Sequence, residues 1–216
     1  MRLLQYGLLV CALAANIAQA SPFVYVGNHN SADVTVIDAA TNTVITTISG
    51  IFRPYGAAIT PDGTRAYVTS YGYTQSVSII NTATNALAGT VTGVGFDPGH
   101  IAFTPDGTRA YVANRVSNSV SVVDVASNTV IAEVVTGDYP IGIAITPDGK
   151  YAYVANQTGR SIVKIDTVTN AIVSTINNGE MNDQIVCSAD GSRLYVVNHQ
   201  LNAVSVIDTL THAQGH

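Results

Sequence analysis

The stretch "HIAFTPDGTRAYVANRVSNSVSVVDVASNTVIAEV", residues 100–134, decides the fold. It holds four short runs, 100–104, 110–114, 119–124 and 129–134. Most are rich in β-branched residues and each is bounded by turn formers, which predicts four successive strands. The joint Pro105-Asp106-Gly107 suits a tight reversal. Proline sets φ, aspartate caps locally and glycine takes a positive φ. Beyond the N-terminal segment, no stretch keeps a helical period.

The unit repeats along the chain. Tyr-Val returns at Tyr25, Tyr67, Tyr111, Tyr153 and Tyr195, in steps of 42, 44, 42 and 42. The nonapeptide "TPDGTRAYV" stands at 60–68 and again at 104–112. Asp38, Asn81, Asp124, Asp166 and Asp208 hold one further phase, and Asp62, Asp106, Asp148 and Asp190 another. A period of about forty residues built from four strands is the signature of a propeller blade. Small Ser and Thr alternate with Val and Ile, as expected of twisted sheets buried on both faces.

The runs "YVAN", "SVSVVD", "NTVIA" and "GIAITPDG" resemble the YVTN-type β-propeller repeat family of exported bacterial and archaeal surface proteins, over nearly all of residues 22–212. The resemblance implies an all-β propeller of four-stranded antiparallel blades, numbered A to D outward from the axis. The chain then begins with B, C and D over 23–48 and continues with three complete blades. It ends with A, B and C over 184–208, stopping where a last D strand should begin. That makes about five blade segments, with the first and last partial. The ring is expected to be open or truncated, a piece of a larger, seven-bladed propeller, or else an intact short chain that closes imperfectly.

Residues 1–20 read as a cleaved signal peptide and 21–216 as the propeller domain. Arg2 precedes an apolar run that ends in Ala18-Gln19-Ala20, the small residues a signal peptidase inspects. The expected destination is the periplasm, the extracellular space or the cell surface. Without residues 1–20 the chain keeps eight basic and fourteen acidic residues and one cysteine, Cys187. No internal disulfide can form, and no basic run marks a surface for phosphate backbones or anionic lipid. No later stretch is apolar enough to span a bilayer.

Repeats supply an internal control for chemistry. The aspartates that recur at one phase are turn acids, and Arg65, Arg109 and Arg193 also share a phase. Cys187 stands at the phase of Ile59, Phe103 and Ile145, so it reads as a buried apolar substitute. What varies lies in the D-to-A and B-to-C loops, on the channel face opposite the Pro-Asp-Gly joints. The candidate ligand-binding residues are Arg53, Tyr55, Phe96, Asp97, His100, Arg115, Asp138, Tyr139, Arg160, Glu180 and Asp183. His100 reads as a solvated loop histidine before it reads as a base. His29 and His199 share a phase but lack a third zinc ligand. No cofactor or metal motif appears.

The leading functional reading is an exported, non-enzymatic binding, scaffold or surface propeller whose partner is a protein, glycan or cell-envelope ligand. Self-association through open blade edges is a further expectation. Lactonase-like hydrolases also resemble such propellers. That resemblance implies a channel-mouth metal or acid/His site, with Asp97, His100, Asp138, Glu180 and Asp183 as its candidates. A periplasmic single-stranded nucleic-acid binder is the second alternative, with tyrosines stacking on bases. The acidic balance argues against it.

Overall fold

A computed structural model describes residues 23–215. The segment read as a signal peptide lies outside the described residues. Nineteen strands form five antiparallel sheets, with no helix among the described residues.

The first sheet holds β1 (Phe23–Asn28), β2 (Asp33–Asp38) and β3 (Thr43–Ser49). The second holds β4 (Pro54–Ile59), β5 (Arg65–Ser70), β6 (Ser76–Asn81) and β7 (Ala86–Thr92). The third holds β8 (Pro98–Phe103), β9 (Arg109–Asn114), β10 (Ser119–Asp124) and β11 (Thr129–Val135). The fourth holds β12 (Pro140–Ile145), β13 (Tyr151–Asn156), β14 (Ser161–Asp166) and β15 (Ile172–Ile176). The fifth holds β16 (Asn182–Cys187), β17 (Arg193–Asn198), β18 (Ala203–Asp208) and the two-residue β19 (Gln214–Gly215).

Each sheet is a meander in chain order, as a blade requires. The blades are open, with no sheet closing on itself. The outcome differs from expectation at one point. The fifth sheet does begin a D strand, where Gln214 pairs with Ile207 and Gly215 with Val206.

Both classes of turn form as the residues dictate. The glycines of the four Asp-Gly joints have φ of 70–75°, which a side chain would resist. The joint acid accepts from the hydroxyl two residues before it: Thr60 to Asp62, Thr104 to Asp106, Thr146 to Asp148 and Ser188 to Asp190. The bond from Ser188, then those from the Ser192 backbone N–H and hydroxyl, hold the Asp190 carboxyl down to about 2. The recurring acids are turn caps.

Sheets pack face to face in chain order, β4 against β8, β8 against β12 and β12 against β16. Each junction is an apolar cluster drawn from two consecutive sheets. Tyr111, Val120 and Val122 of the third sheet, for example, meet Ala152, Val154 and Ile165 of the fourth. At three of the four junctions a tyrosine crosses to latch the next sheet. Tyr25 donates to Asn85 Oδ1 at 2.6 Å, Tyr67 to Asn128, and Tyr111 to Asn170 Oδ1 at 3.0 Å. The accepting asparagines sit in the left-handed region, φ 51–57°, at the C-to-D turn. The fourth latch is different. His212 stands where an asparagine is expected, and the buried Tyr153 hydroxyl has no hydrogen-bond partner among the described residues.

Candidate functional site at the channel mouth

The head of every inner strand carries a register irregularity. The pairing slips between Pro54 and Ala57, Pro98 and Ile101, Pro140 and Gly142, and Asn182 and Ile185. Such bulges re-aim side chains and are frequent beside active sites. At the bulged position the four sheets carry Gly56, His100, Gly142 and Gln184. The glycines are there for space. A Cβ on Gly56 would lie 2.5 Å from the Gly99 carbonyl oxygen, and one on Gly142 would lie 2.3 Å from that of Asp183. Small residues on two strands thus let their neighbours carry His100 and Gln184 at the axis.

A second phase supplies the residue after each B strand: His29, Tyr71, Arg115, Gln157 and His199. Backbone bonds fix three of these against the preceding D-to-A loops. Tyr71 N donates to Arg53 O at 2.8 Å, Arg115 N to Asp97 O at 3.0 Å, and Gln157 N to Tyr139 O at 2.9 Å. Arg53, Asp97 and Tyr139 all have positive φ, from 41° to 57°. That left-handed kink turns each loop into its inner strand.

Arg115 is the centre of the cluster. Its Nη2 donates to Asp97 Oδ1 at 2.8 Å, and both side chains are buried. Its guanidinium lies 4.1 Å from the Tyr55 ring centre and 4.4 Å from that of Tyr71, with Tyr139 at 5.9 Å. A desolvated cation over aromatic faces is favourable. The stack continues from Tyr55 to His100, ring centres 5.3 Å apart, and from Tyr71 to His29, 5.0 Å apart. Burial raises the Tyr55 hydroxyl against the pull of Arg115. Burial, then Arg53 and Arg115, lowers His29.

His100 is buried, not solvated as its loop position led us to expect. Burial and the Arg115 charge bring its pKa down to about 4, against a smaller opposing effect of Asp183. It bonds the Gln184 amide nitrogen through Nε2, a contact between the third and fifth sheets. An imidazole accepting there is neutral and carries its proton on Nδ1.

The fifth sheet adds a polar dyad. His199 Nδ1 lies 2.5 Å from Asp183 Oδ2, while Gln157 holds Asp183 Oδ1. The His199 side chain is 51 % exposed, so Nε2 is the ring nitrogen left for solvent or ligand.

The structure brings together Tyr55, Asp97, His100, Arg115 and Tyr139, with Asp183 beside them. Arg53 lies exposed over Phe52, and Phe96 packs on Tyr73 at the rim. Three other candidates serve loops. The Asp138 carbonyl accepts from Gly159 N, and Arg160 donates to Gly179 O. Glu180 is buried and accepts from Ser205 and Gln214, each at 2.6 Å. Gln184 was missed, although its phase with His100 could have marked it.

Among the described residues no three His, Cys, Asp or Glu side chains gather to hold a metal ion, and no helix is long and apolar enough to cross a membrane. A groove of about 410 Å³ on the opposite face is lined by joint residues such as Asp106, Arg109 and Asp148. Those acids are committed to their turns, so the groove is not where the chemistry lies.

The family model described as "Lactonase, 7-bladed beta-propeller" matches residues 13–214. The chain belongs to this lactonase family. Membership corrects the leading reading of a non-enzymatic binding or scaffold propeller, for which no support appears. It favours the lactonase-like alternative. The match begins inside the segment read as a signal peptide.

Two solved structures share this chain's fold. A functionally unknown protein from Desulfotomaculum acetoxidans DSM 771 is 22 % identical with a TM-score of 0.78, over 95 % of this chain and 68 % of that one. Kuenenia stuttgartiensis hydrazine synthase is 20 % identical with a TM-score of 0.60, over 87 % of this chain and 80 % of that one. At such identities the likeness concerns the fold alone. No curated protein sequence matches the chain.

Proposed function

We propose that the chain hydrolyses small cyclic esters at the channel mouth, with His199 as general base and Asp183 as the residue that orients it. The observation that carries this reading is the Asp183–His199 pair at 2.5 Å beside the Arg115 cluster. A carboxylate on Nδ1 fixes the tautomer whose Nε2 accepts a proton. His199 Nε2 takes a proton from water as the oxygen attacks the lactone carbonyl. The ring C–O bond then breaks, and the imidazolium returns the proton to the departing alkoxide. The product is the open hydroxy acid, and one water is consumed for each ester cleaved. Arg53, Tyr55 and Gln184 are the donors at the mouth available to the developing oxyanion. Neutral His100 keeps a second positive charge away from Arg115.

Two finer readings accompany this one. The repeat runs support a place among YVTN-type propellers, and the apolar segment after Arg2 supports export.

The test is titration of acid release from a panel of five- and six-membered lactones, alkyl and sugar-derived. The wild type is expected to turn over at least one of them. His199→Gln and Asp183→Asn are expected to lose ~10²–10⁴-fold in kcat, the usual share of a positioned base. Absence of turnover across the panel, or full activity in His199→Gln, overturns the proposal.

A further inference from the structure

The Asp183–His199 pair stands where the ladder of its own sheet does not hold it. The register of β16 with β17 passes from Asn182 to Ile185, so Asp183 and Gln184 have no partner across the ladder. Side chains in such a bulge are aimed by what they touch. His199 follows β17, its ring is half exposed, and Asp183 is its only hydrogen-bond partner among the described residues. What sets the Asp183 carboxylate therefore sets the imidazole.

Two earlier sheets reach into the bulge, one to each residue. His100 of β8 bonds the Gln184 side chain, and Gln157 Nε2 donates to Asp183 Oδ1. An ionised carboxylate only accepts, so the amide nitrogen is the atom of Gln157 that faces it. The backbone of Gln157 is fixed on both sides. Its N–H donates to the Tyr139 carbonyl at 2.9 Å, and its own carbonyl accepts from Arg160 N at 3.3 Å. The tie to Tyr139 also joins it to the aromatic stack, because the Arg115 guanidinium lies 5.9 Å from the Tyr139 ring centre.

At the phase of Gln157 the other sheets carry His29, Tyr71, Arg115 and His199, so Gln157 is the one amide in the series. The difference gives two acids of the mouth different tasks. Asp97 pairs with the Arg115 cation, which neutralises its charge. Asp183 is held by a neutral donor, so its charge stays available to an imidazolium at the other oxygen. Tyr55 and His100 also sense that charge, and neither bonds to it.

We propose that Gln157 is the positioning residue of the dyad, an assignment that rests on His199 acting as the base. Its amide locks Asp183 Oδ1, so that Oδ2 keeps the proton of His199 on Nδ1 and leaves Nε2 to accept. Without the amide the carboxylate turns about its Cβ–Cγ bond. The exposed imidazole then relaxes toward the form with its proton on Nε2, which has no lone pair there to take one from water. Gln157 thereby keeps the base in register with the Arg115 pocket across the junction of the fourth and fifth sheets.

The test replaces the amide by an apolar chain of nearly equal length, Gln157→Met, with Gln157→Leu as a second variant. Thermal melts establish that each folds. The first readout needs no substrate. Ring-nitrogen NMR of isotope-labelled histidine, at about pH 8 where free imidazole is neutral, gives the tautomer of His199, assigned with His199→Gln. The wild type is expected to carry the proton on Nδ1. In the folded variants the ratio of the Nδ1–H to the Nε2–H form should fall about tenfold or more, the worth of one hydrogen bond to a charged group. A role in packing alone would leave that ratio unmoved. The second readout is kinetic: on a lactone that the wild type hydrolyses, kcat should fall about tenfold with KM unchanged. A wild type with the proton on Nε2, or folded variants with the wild-type ratio, overturns the proposal whatever the turnover. So does a kcat equal to that of the wild type. A chain that hydrolyses no lactone refutes the base assignment instead, and the tautomer ratio still decides whether Gln157 positions the pair.

Discussion

His212→Asn is expected to stabilise the protein. Tyr153 is wholly buried at the junction of the fourth and fifth sheets, and burial pushes its hydroxyl up to about 12. Three equivalent tyrosines donate to an asparagine of the next sheet, whereas position 212, at the phase of those asparagines, carries a histidine held at φ 59°. A buried hydroxyl without a partner costs ~1–3 kcal/mol, and one neutral hydrogen bond returns ~1 kcal/mol net. Asparagine tolerates the same left-handed backbone and presents its carbonyl where the other three junctions present theirs. The gain should therefore be ~1–2 kcal/mol, raising Tm by ~2–4 °C for each kcal/mol in a domain of this size. Urea unfolding and calorimetry read it, and Tyr153→Phe supplies the second arm of a cycle. In the parent chain Tyr153→Phe should be close to neutral, while in His212→Asn it should erase the gain. The reasoning is refuted if His212→Asn leaves the unfolding midpoint unchanged, or if Tyr153→Phe costs the parent as much as Tyr111→Phe does.

Tyr111→Phe itself strands the Asn170 acceptor and should cost ~1–2 kcal/mol in urea unfolding. Asp97→Ala leaves the buried Arg115 guanidinium without its 2.8 Å partner, and a loss of ~3–5 kcal/mol is expected by the same assay. Gly142→Ala forces a Cβ to 2.3 Å from the Asp183 carbonyl oxygen, so β16 must shift. Lactone turnover should fall along with stability, and a variant as active and stable as the parent would remove the close-packing argument. Acid should destabilise the fold through His100, whose folded pKa of about 4 lies below the unfolded value of 6.5. The unfolded chain binds the proton first, so stability is full above pH 6.5 and declines as pH falls toward 4. The loss is on the order of 3 kcal/mol. A His100→Leu chain that folds should show a flatter stability profile over that window.

The architecture was legible because a repeat tests itself. Tyr67, Tyr111 and Tyr153 each predicted a B strand, and the Asp-Gly joints each predicted a reversal, so one uncertain reading was checked by its copies. The last D strand escaped notice because Gln214–Gly215 has no β-branched residue, and only its pairing with Val206 and Ile207 defines it. At the mouth the same internal comparison separated turn acids such as Asp62 from variable loop residues such as Asp97. It could not show that the Arg160 and Glu180 side chains and the Asp138 backbone carbonyl would be spent on loop closure, since those bonds run to residues about twenty or more positions away in most cases. Nor could it show that His100 is buried, packed on Tyr55 and bonded to Gln184 of a sheet 84 residues later.

The placement of the Asp183–His199 pair has a kinetic consequence. Stability in a stacked repeat is nearly a sum over neighbours, so a sheet covered on one face opens more readily than sheets covered on both. The pair sits on the fifth sheet, whereas the Arg115 stack draws on the second, third and fourth. Brief detachment of the fifth sheet would disarm the dyad while leaving the aromatic pocket assembled. Heating should therefore extinguish turnover some degrees before the tyrosine signal of the interior sheets melts, and slow amide exchange should begin one sheet inward from the dyad.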